Sequence, residues 1–249
     1  MEQRFADKIA IVTGAASGMG RATAVRLAAE GASVFGIDLN RAGLAEVGEE
    51  IGSEFTAHVT DISRRDACQA AVGSCVATLG VPDVLANVAG VLRSDHLVDV
   101  TEADFNLLMN VNVAGTFWMC QASIPPMVEA GRGSIVNIAS NAGLMGTAYT
   151  VAYSASKGAV VNMTRSLAME FVKTPIRINC VAPGGVVTPM TSQVALPENV
   201  DWKLMAPYVG FRPMADPSEL AAIIAFVASD EARQMHGSIV SADSGLTAG

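Results

Sequence analysis

The sequence predicts an α/β fold: a doubly wound parallel sheet of the Rossmann type, with about seven strands and helices on both faces. Short, almost continuously apolar strands alternate with helical segments along most of the 249 residues. The segments between the strands are long enough to require crossover connections, which produce parallel pairing. Strands that are apolar on both sides fit a sheet covered by helices on both faces.

Each strand is predicted where apolar residues run together, and each helix from its periodicity and end signals. The first strand enters a glycine-rich turn, and the helix after it ends before Gly31, a residue typical of C′ positions. Ser63 and Asp66 resemble a capping box at the start of a helix. The predicted strands are 8–13, 33–38, 55–61, 84–88, 134–140, 176–181 and 238–242. The predicted helices are 21–30, 42–51, 63–79, 101–130, 151–172 and 219–228.

The chain shows no linker, low-complexity tract or internal repeat, so we expect a single domain over residues 1–249. Residues 183–217 differ from the rest because they are rich in Pro, Gly and Met and show little periodicity. Long loops of this kind inside a compact domain are usually functional. We therefore expect a loop that covers a site at about 184–216.

Composition and charge argue against several classes of function. The formal charge of −8 and the sequence pI near 4.8 disfavour nucleic acid as a partner, because phosphate binding needs basic patches. The same charge disfavours an anionic membrane surface. Mean hydropathy is positive, at +0.38, but no uninterrupted apolar run reaches the roughly 20 residues of a spanning helix.

The cysteines and histidines point to neither a disulfide framework nor a metal site. Four cysteines in a chain of this length, with no C-x-x-C pair, are typical of buried thiols in a cytoplasmic protein. The N-terminal residues are charged and lack the apolar region of a signal peptide. The three histidines, His58, His96 and His236, match no metal-ligand spacing, so no metal is expected.

A glycine-rich turn, Thr-Gly-Ala-Ala-Ser-Gly-Met-Gly, follows the first strand. Gly14 can adopt the tight-turn conformation, Gly18 lets a pyrophosphate approach the backbone, and Gly20 lets helix and strand pack closely. The helix start supplies free N–H groups and the positive end of its dipole. A glycine triplet alone could form a turn without a ligand. Its position between strand and helix predicts a dinucleotide-binding turn that includes Ser17 and Met19.

Acidic residues at two later strand ends indicate which dinucleotide is bound. Asp38 lies eighteen residues beyond Gly20, where its carboxylate can accept hydrogen bonds from ribose hydroxyls. A 2′-phosphate would meet like charge there, which favours NAD over NADP, although Arg41 is close enough to bend back. Asp61 either holds the adenine edge or supplies the N-terminal charge of the next helix; the sequence leaves both open.

Tyr153 and Lys157 stand four residues apart, with Ser140 thirteen positions upstream of the tyrosine. In a helix, side chains at i and i+4 share one face. A fixed positive charge beside a phenol lowers a pKa that is normally near ~10. The pair therefore predicts a tyrosine that acts as a general acid or base.

These motifs together resemble the short-chain dehydrogenase/reductase family over nearly the whole chain. The sequence departs from the family's Asn-Asn-Ala-Gly motif at Val88, and from its C-terminal Asp-Gly-Gly motif at Ser244. The residues that carry the resemblance are the turn at 13–20, Asn87-Val88-Ala89-Gly90, Asn112, Ser140, Tyr153, Lys157, the segment 183–188 and Asp243-Ser244-Gly245.

The resemblance implies a role for each catalytic residue. Tyr153 would exchange a proton with the substrate oxygen, and Ser140 would hydrogen-bond the same oxygen. Lys157 would lower the pKa of Tyr153 and bind the nicotinamide ribose, and Asn112 would hold a water in a proton relay. The further cofactor contacts that it implies are Leu39, Asp61, Ile62, Asn87, Ala89, Gly90, Pro183, Gly184, Val186, Thr188 and Met190.

The substrate pocket is expected between the covering loop and the residues beside Ser140. Flexible methionines suit irregular lipophilic ligands. Some of the same side chains could instead pack the loop onto the body or face another subunit, and Lys203 and Arg212 leave an anionic substrate open. The candidates are Ser140, Ala142, Leu144, Met145, Tyr153, Gly184, Val186, Met190, Trp202, Met205 and Tyr208.

We therefore expect an NAD-dependent enzyme that interconverts a lipophilic or alicyclic secondary alcohol and a ketone. A 3-oxoacyl-thioester (acyl-carrier-protein) reductase of the same family is the nearest alternative; it would usually prefer NADPH and a basic surface. A non-catalytic NAD-binding sensor is a third. Family members are commonly homotetramers, and the predicted helices 101–130 and 151–172 have apolar faces that suit a subunit interface.

Overall fold

Seven strands form one parallel sheet in the part of the chain that the structure describes. The structure is a computed structural model, and it describes residues 3–210 and 212–248. The strands are β1 (Ile9–Thr13), β2 (Ser33–Asp38), β3 (Phe55–Val59), β4 (Val84–Asn87), β5 (Ser134–Ile138), β6 (Arg177–Pro183) and β7 (Ile239–Ala242). Their order across the sheet is β3-β2-β1-β4-β5-β6-β7, with parallel pairing throughout.

Helices cover both faces of this sheet, so the predicted doubly wound α/β fold is confirmed. The helices are α1 (Gly18–Ala29), α2 (Arg41–Ile51), α3 (Arg65–Thr78), α4 (Glu102–Leu108), α5 (Thr116–Glu129), α6 (Val151–Glu170), α7 (Pro189–Gln193), α8 (Trp202–Val209) and α9 (Pro217–Ala228). On one face, Leu27 of α1 and Ile224 of α9 belong to one buried cluster. On the other, Val72 of α3 packs with Met119 of α5.

The strand order reverses between β1 and β4, which fixes where a ligand can bind. Thr13 pairs with Asn87 across β1 and β4, and Asn87 pairs with Asn137 across β4 and β5. The carboxyl ends of these three strands therefore lie side by side. In open α/β sheets a crevice forms outside the strand ends at such a switch point.

The long helix predicted at 101–130 is divided in the structure. A π-helical segment, Met109–Gly115, separates α4 from α5. Within it, Asn112 Oδ1 accepts from the Val91 N–H (2.8 Å) and its Nδ2 donates to the Val91 carbonyl (2.9 Å). This side chain clamps the helix to the chain that follows β4, at a π-bulge of the kind that often marks functional sites.

The predicted capping box at Ser63 and Asp66 is wrong. Helix α3 begins at Arg65, and its N-cap residue makes no side-chain capping bond. Ser63 instead donates both its N–H (2.9 Å) and its hydroxyl (2.7 Å) to Asp61 Oδ1. A charged carboxylate is a strong hydrogen-bond acceptor, so it holds the serine just before the helix begins.

The segment predicted to cover a site contains α7 and α8, and we call residues 184–216 the cover segment. Its two ends are joined, because the Val187 N–H donates to the Ala215 carbonyl and the Ala215 N–H donates to the Gly185 carbonyl (2.9 Å each). Phe211 lies outside the described residues. Across the described ranges, no helix is long and apolar enough to cross a membrane.

Candidate active site

A cleft of about 370 Å³ opens at the carboxyl ends of β1, β4 and β5. This volume falls in the usual range of small-molecule sites. The predicted cofactor residues that line it are Gly14, Ser17, Gly18, Met19, Gly20, Asp38, Leu39, Asp61, Ile62, Ala89, Gly90, Tyr153, Pro183, Gly184, Val186, Thr188 and Met190. The cleft thus joins the glycine turn, the start of the cover segment and the candidate tyrosine.

The glycine turn is held by one close backbone contact and by two hydrogen bonds to the Thr13 hydroxyl. A Cβ on Gly20 would lie 1.9 Å from the Gly14 carbonyl oxygen, so no side chain fits at that position. Gly14 itself has φ +71°, a left-handed conformation that glycine adopts without strain. Thr13 Oγ1 accepts from the N–H groups of Val88 (3.0 Å) and Ala89 (3.1 Å), which fixes the turn against the chain after β4.

Two features of opposite electrostatic character lie along this part of the cleft. Ser17 is the N-cap of α1 but makes no side-chain capping bond, so the first N–H groups of the helix face the cleft uncapped. Farther along, Asp38 Oδ2 accepts from the Ala16 N–H (3.1 Å) and Oδ1 from the Asn40 N–H (2.9 Å). The site therefore offers donors to an anion and a fixed carboxylate to hydroxyl groups.

Ser140 and Tyr153 border the other end of the cleft. Ser140 follows β5 and caps a 3₁₀ turn, in which its hydroxyl accepts from the Ala142 N–H (3.2 Å) and donates to Asn141 Oδ1 (3.0 Å). Gly143 ends this turn so close to α6 that a Cβ would lie 2.7 Å from the Lys157 carbonyl carbon. This contact brings the serine turn against the helix that carries the tyrosine.

Lys157 is 5% exposed and lies under the cleft, outside its lining residues. Its Nζ donates to the Ile138 carbonyl (2.9 Å) and lies 5.8 Å from the centre of the Tyr153 ring. Burial lowers the pKa of Lys157 to about 8. Burial also raises the pKa of Tyr153, and the Ser140 hydroxyl opposes this. The predicted lowering of the Tyr153 pKa by Lys157 is therefore wrong for this arrangement, where desolvation dominates.

Asn112 is 1% exposed and is fixed by a second set of contacts. Its Nδ2 donates to Ser156 Oγ (3.0 Å), and its carbonyl accepts from the Thr116 hydroxyl (2.8 Å). A Cβ on Gly90 would lie 3.1 Å from Asn112 Oδ1 and 3.4 Å from Lys157 Nζ. Glycine at this position therefore lets the asparagine and the lysine both approach the backbone beneath the cleft.

Asn87 lies in the core, 2% exposed, rather than in the cleft. Its Nδ2 donates to Asn137 Oδ1 (2.9 Å) on the neighbouring strand and contacts Cys120 Sγ (3.4 Å). Asn137 continues the chain of hydrogen bonds to Thr164 Oγ1 (3.0 Å) on α6. The Asn87 side chain thus joins β4 to β5 and lies outside the lining of the cleft.

The two roles that the sequence leaves open for Asp61 are compatible in the structure. Its carboxylate holds Ser63 through the two hydrogen bonds given above, which is a local role at the approach to α3. The same residue lines the cleft beside Ile62.

The predicted substrate residues divide into two groups. Ser140, Tyr153, Gly184, Val186 and Met190 line the cleft. The predicted residues outside its lining are Ala142, Leu144, Met145, Trp202, Met205 and Tyr208. Among these, Trp202 is 64% exposed, and the Tyr208 hydroxyl accepts from the Ala148 N–H (3.2 Å). Tyr208 therefore packs the cover segment onto the body.

Several lining residues were not predicted from the sequence. Each lies within a few positions of a recognised motif: Val91 and Leu92 follow Gly90, and Val111 precedes Asn112. The unpredicted lining residues are Ile37, Thr60, Val88, Val91, Leu92, Leu107, Val111, Ala139, Pro189 and Thr191. Extension of each motif into the adjoining loop at the strand end would have found most of them.

Sequence comparisons agree over nearly the whole chain. A family model described as short chain dehydrogenase matches residues 8–199. The 3-oxoacyl-[acyl-carrier-protein] reductase of Thermotoga maritima is 36% identical, over 98% of this chain and 99% of its own length. The cyclopentanol dehydrogenase of a Comamonas species is 35% identical, again over 98% of this chain and 99% of its own.

Solved structures of related enzymes have the same fold over nearly the whole chain. A short chain dehydrogenase from Mycobacterium paratuberculosis bound to NAD has a TM-score of 0.92 and 33% identity, with 99% of this chain and 100% of that one covered. A 3-ketoacyl-(acyl-carrier-protein) reductase from Brucella melitensis complexed with NADH has a TM-score of 0.90 and 30% identity, with 98% and 99% covered.

The close contact at Gly20 predicts that even a methyl side chain at this position destabilises the fold. Gly20→Ala places a methyl group 1.9 Å from the Gly14 carbonyl, so the turn or the helix must move. We expect the free energy of unfolding to fall by about 1–3 kcal/mol, the usual cost of overpacking. Gly73→Ala is the matched control, because it lies on the exposed face of α3 with open space around it. That variant should gain about 0.5–1 kcal/mol from helix propensity, and equal denaturation midpoints for the two variants would contradict the close packing assigned to Gly20.

The lowered pKa of Lys157 predicts that this residue destabilises the fold near neutral pH. Below about pH 8 the buried amine is charged in both folded and unfolded chains, and only the folded chain bears the desolvation cost. Lys157→Met should therefore raise the free energy of unfolding at about pH 7 by about 2 kcal/mol, after allowance for the unpaired Ile138 carbonyl.

The pH dependence supplies the control for this prediction. Between a pKa of about 8 in the folded chain and the ordinary value of 10.5, the unfolded chain binds more protons than the folded one. The stability of the unsubstituted protein should therefore rise with pH in that window relative to Lys157→Met. Denaturation curves at about pH 7 and about pH 10 should show the difference shrinking; a constant difference would contradict the assignment.

Proposed function

Since this chain belongs to the short-chain dehydrogenase family, we propose that it is an NAD(H)-dependent oxidoreductase that interconverts a secondary alcohol and a ketone. One observation carries the proposal: Ser140 and Tyr153 border the same cleft as the glycine turn and Asp38. A dinucleotide held at one end can present its reactive ring beside a proton donor at the other.

The residues present fit NAD. Gly14 and Gly18, both at positive φ, keep side chains out of the turn, where the uncapped start of α1 suits a pyrophosphate. Asp38 provides an acceptor for ribose hydroxyls and would repel a 2′-phosphate. The solved structures bound to NAD or NADH share this fold at TM-scores of 0.92 and 0.90. Bound NAD(H) would supply the hydride chemistry.

The remaining proposed cofactor contacts are residues of the cleft lining, together with Lys157 beneath it. Thr188 and Val186 would orient the carboxamide of the ring, and Lys157 would approach the nicotinamide ribose. Thr188 also caps α7, so its side-chain position is fixed. The other residues that we assign to the cofactor are Ser17, Met19, Gly20, Leu39, Asp61, Ile62, Ala89, Gly90, Pro183, Gly184 and Met190.

Proton transfer is assigned to the residues at the other end. Ser140 would donate a hydrogen bond to the substrate oxygen and stabilise its developing charge. Tyr153 would take the alcohol proton in oxidation and return it in reduction. Since the pKa of Lys157 is about 8, its amine is mostly protonated near neutral pH. That cation lies 5.8 Å from the centre of the Tyr153 ring, and it is the Ser140 hydroxyl that opposes the burial that raises the pKa of Tyr153.

Asn112 would complete the path to solvent by holding a water between Lys157 and the exterior. Its amide is committed on both sides, to Val91 and to Ser156, so the residue is rigid. The Ser156 hydroxyl in turn donates to the Tyr153 carbonyl (2.7 Å). This network ties the π-helical segment to the helix that carries the tyrosine.

We assign the substrate to a lipophilic or alicyclic class because the cleft beyond the cofactor turn is largely aliphatic. Val91, Leu92, Val111, Val186 and Met190 all line it. The Comamonas relative, named for an alicyclic alcohol, supports the same class. The cover segment would close over such a substrate from the side of α7.

A 3-oxoacyl-thioester reductase is the second candidate, favoured by the Thermotoga relative. The NADH complex of the Brucella reductase means that a preference for NAD does not separate the two functions. Charge separates them better. The segments beside the substrate end carry four acidic residues, Asp95, Asp99, Glu198 and Asp201, against two basic ones, Lys203 and Arg212. A third basic residue, Arg93, is paired with Asp104 (3.3 Å). An acidic surround disfavours a polyanionic carrier.

We also propose that the protein is a homotetramer. Exposed apolar side chains line the helices predicted to form an interface, including Phe117 on α5 and Val151 and Met169 on α6. Burial of such side chains between copies of the chain would be favourable. Light scattering that gave a monomeric mass would contradict this. All four cysteines are free and buried, which suits a reducing compartment such as the cytoplasm.

The central test is turnover of secondary alcohols, followed by NADH absorbance, with NAD and NADP in parallel. We expect oxidation of alicyclic alcohols with NAD as the better cofactor. Tyr153→Phe should lower kcat by about 10²–10⁴-fold, the usual contribution of general acid–base catalysis, while the Kd for NAD stays within about twofold.

The same assay separates the alternatives. Faster reduction of a 3-oxoacyl thioester than of any alicyclic ketone would favour the second candidate. Unchanged turnover in Tyr153→Phe would refute the catalytic assignment. Binding of NAD without turnover of any substrate would favour the third alternative, a non-catalytic NAD-binding sensor. A strong preference for NADP would overturn the role given to Asp38.

A further inference from the structure

Among the described residues, three hydrogen bonds fasten the middle of the cover segment, residues 198–208, to the body. The Asp201 N–H donates to the Tyr149 hydroxyl (2.7 Å), and His96 Nε2 donates to the Glu198 carbonyl (2.8 Å). The third runs from the Ala148 N–H to the Tyr208 hydroxyl (3.2 Å). All three connect the cover segment to residues that precede α6 or follow β4.

Tyr149 is the centre of this arrangement and is held in an unusual conformation. Its φ of +61° is uncommon for a bulky residue and persists only where the surroundings hold it. The Asp95 N–H donates to its carbonyl (2.7 Å), and its ring meets the His96 ring edge to face at 5.1 Å. The carbonyl, the ring and the hydroxyl of Tyr149 therefore each contact another part of the chain.

The beginning of the cover segment lies on the glycine turn. A Cβ on Gly18 would lie 3.2 Å from Thr188 Cγ2, so the start of α7 rests on the turn itself. The backbone pairing of Val187 with Ala215 holds the two ends of the segment together. The cover segment thus reaches from the glycine turn, where residues between 184 and 191 line the cleft, to Tyr149, which lies outside the cleft lining.

We propose that Tyr149 is a positioning residue that, together with His96, holds the cover segment over the substrate end of the cleft. Tyr149 lies four residues before Tyr153, so one short stretch of chain sets the place of both the cover and the proton-transfer group. The catalytic consequence rests on the proposed function. The fastening of the cover segment does not, and it can be measured without turnover.

Tyr149→Phe is the direct test, because it keeps the ring against His96 and removes only the acceptor for the Asp201 N–H. Loss of one such bond should speed amide hydrogen exchange in peptides from 198–208 by about fivefold. Exchange in α3 should not change. For a secondary alcohol, KM should rise about fivefold with kcat changed less than about twofold, since the cover affects substrate retention more than chemistry.

His96→Phe removes the hydrogen bond to the Glu198 carbonyl. It also provides an independent test if Tyr149→Phe does not fold. It should produce the same local increase in exchange and the same rise in KM. The matched control is Ser192→Ala, which removes a hydroxyl bonded only within the cover segment, to the Pro189 carbonyl (3.2 Å). It should change neither measurement.

Each outcome bears on the proposal in a different way. Unchanged exchange at 198–208 in both variants would overturn it. So would faster exchange throughout the chain, or a fall in kcat at constant KM, since either would mean that Tyr149 only supports the fold. If the unsubstituted protein turned over no alcohol or ketone, the proposed function would fail, while the exchange result would still decide whether Tyr149 holds the cover segment.

Discussion

The contact between the Gly20 Cα and the Gly14 carbonyl is the constraint on which the rest of the site depends. It seats the start of α1 directly on the end of β1, so the first helical N–H groups face the cleft and not the core. Thr13 then fixes the chain after β4 to the same turn. Because α7 rests on Gly18, the position of the cover segment follows from this contact as well.

The burial of the Lys157 amine lowers the stability of the fold. Lys157 is charged near neutral pH but lies almost wholly out of water, with one carbonyl as its acceptor among the described residues. Its lowered pKa measures that cost. The same desolvation keeps Tyr153 protonated until a charge or a hydrogen bond favours the phenolate. A stable core and the proposed role of Lys157 in proton transfer therefore make opposite demands on this residue.

Local patterns predicted the sheet well and the helices less well. Apolar runs located all seven strands, with β1 and β2 within one residue of their observed ends. The pattern at 101–130 did not show that Asn112 would clamp Val91 and split the helix, since that partner lies outside the helix. The local pattern around Asn87 likewise does not show that its side-chain amide pairs with Asn137, fifty residues away.

The fold class, the dinucleotide turn and most of the residues that meet at the strand ends can be predicted from the amino-acid sequence, because glycine spacing, strand periodicity and helix i, i+4 geometry are local properties. Which groups those residues face depends on how the chain folds in three dimensions. Lys157 bonds to Ile138, and Tyr149 receives the amide of Asp201. Burial and long-range hydrogen bonds depend on chain segments brought together by folding, and these set the pKa values and hold the cover segment.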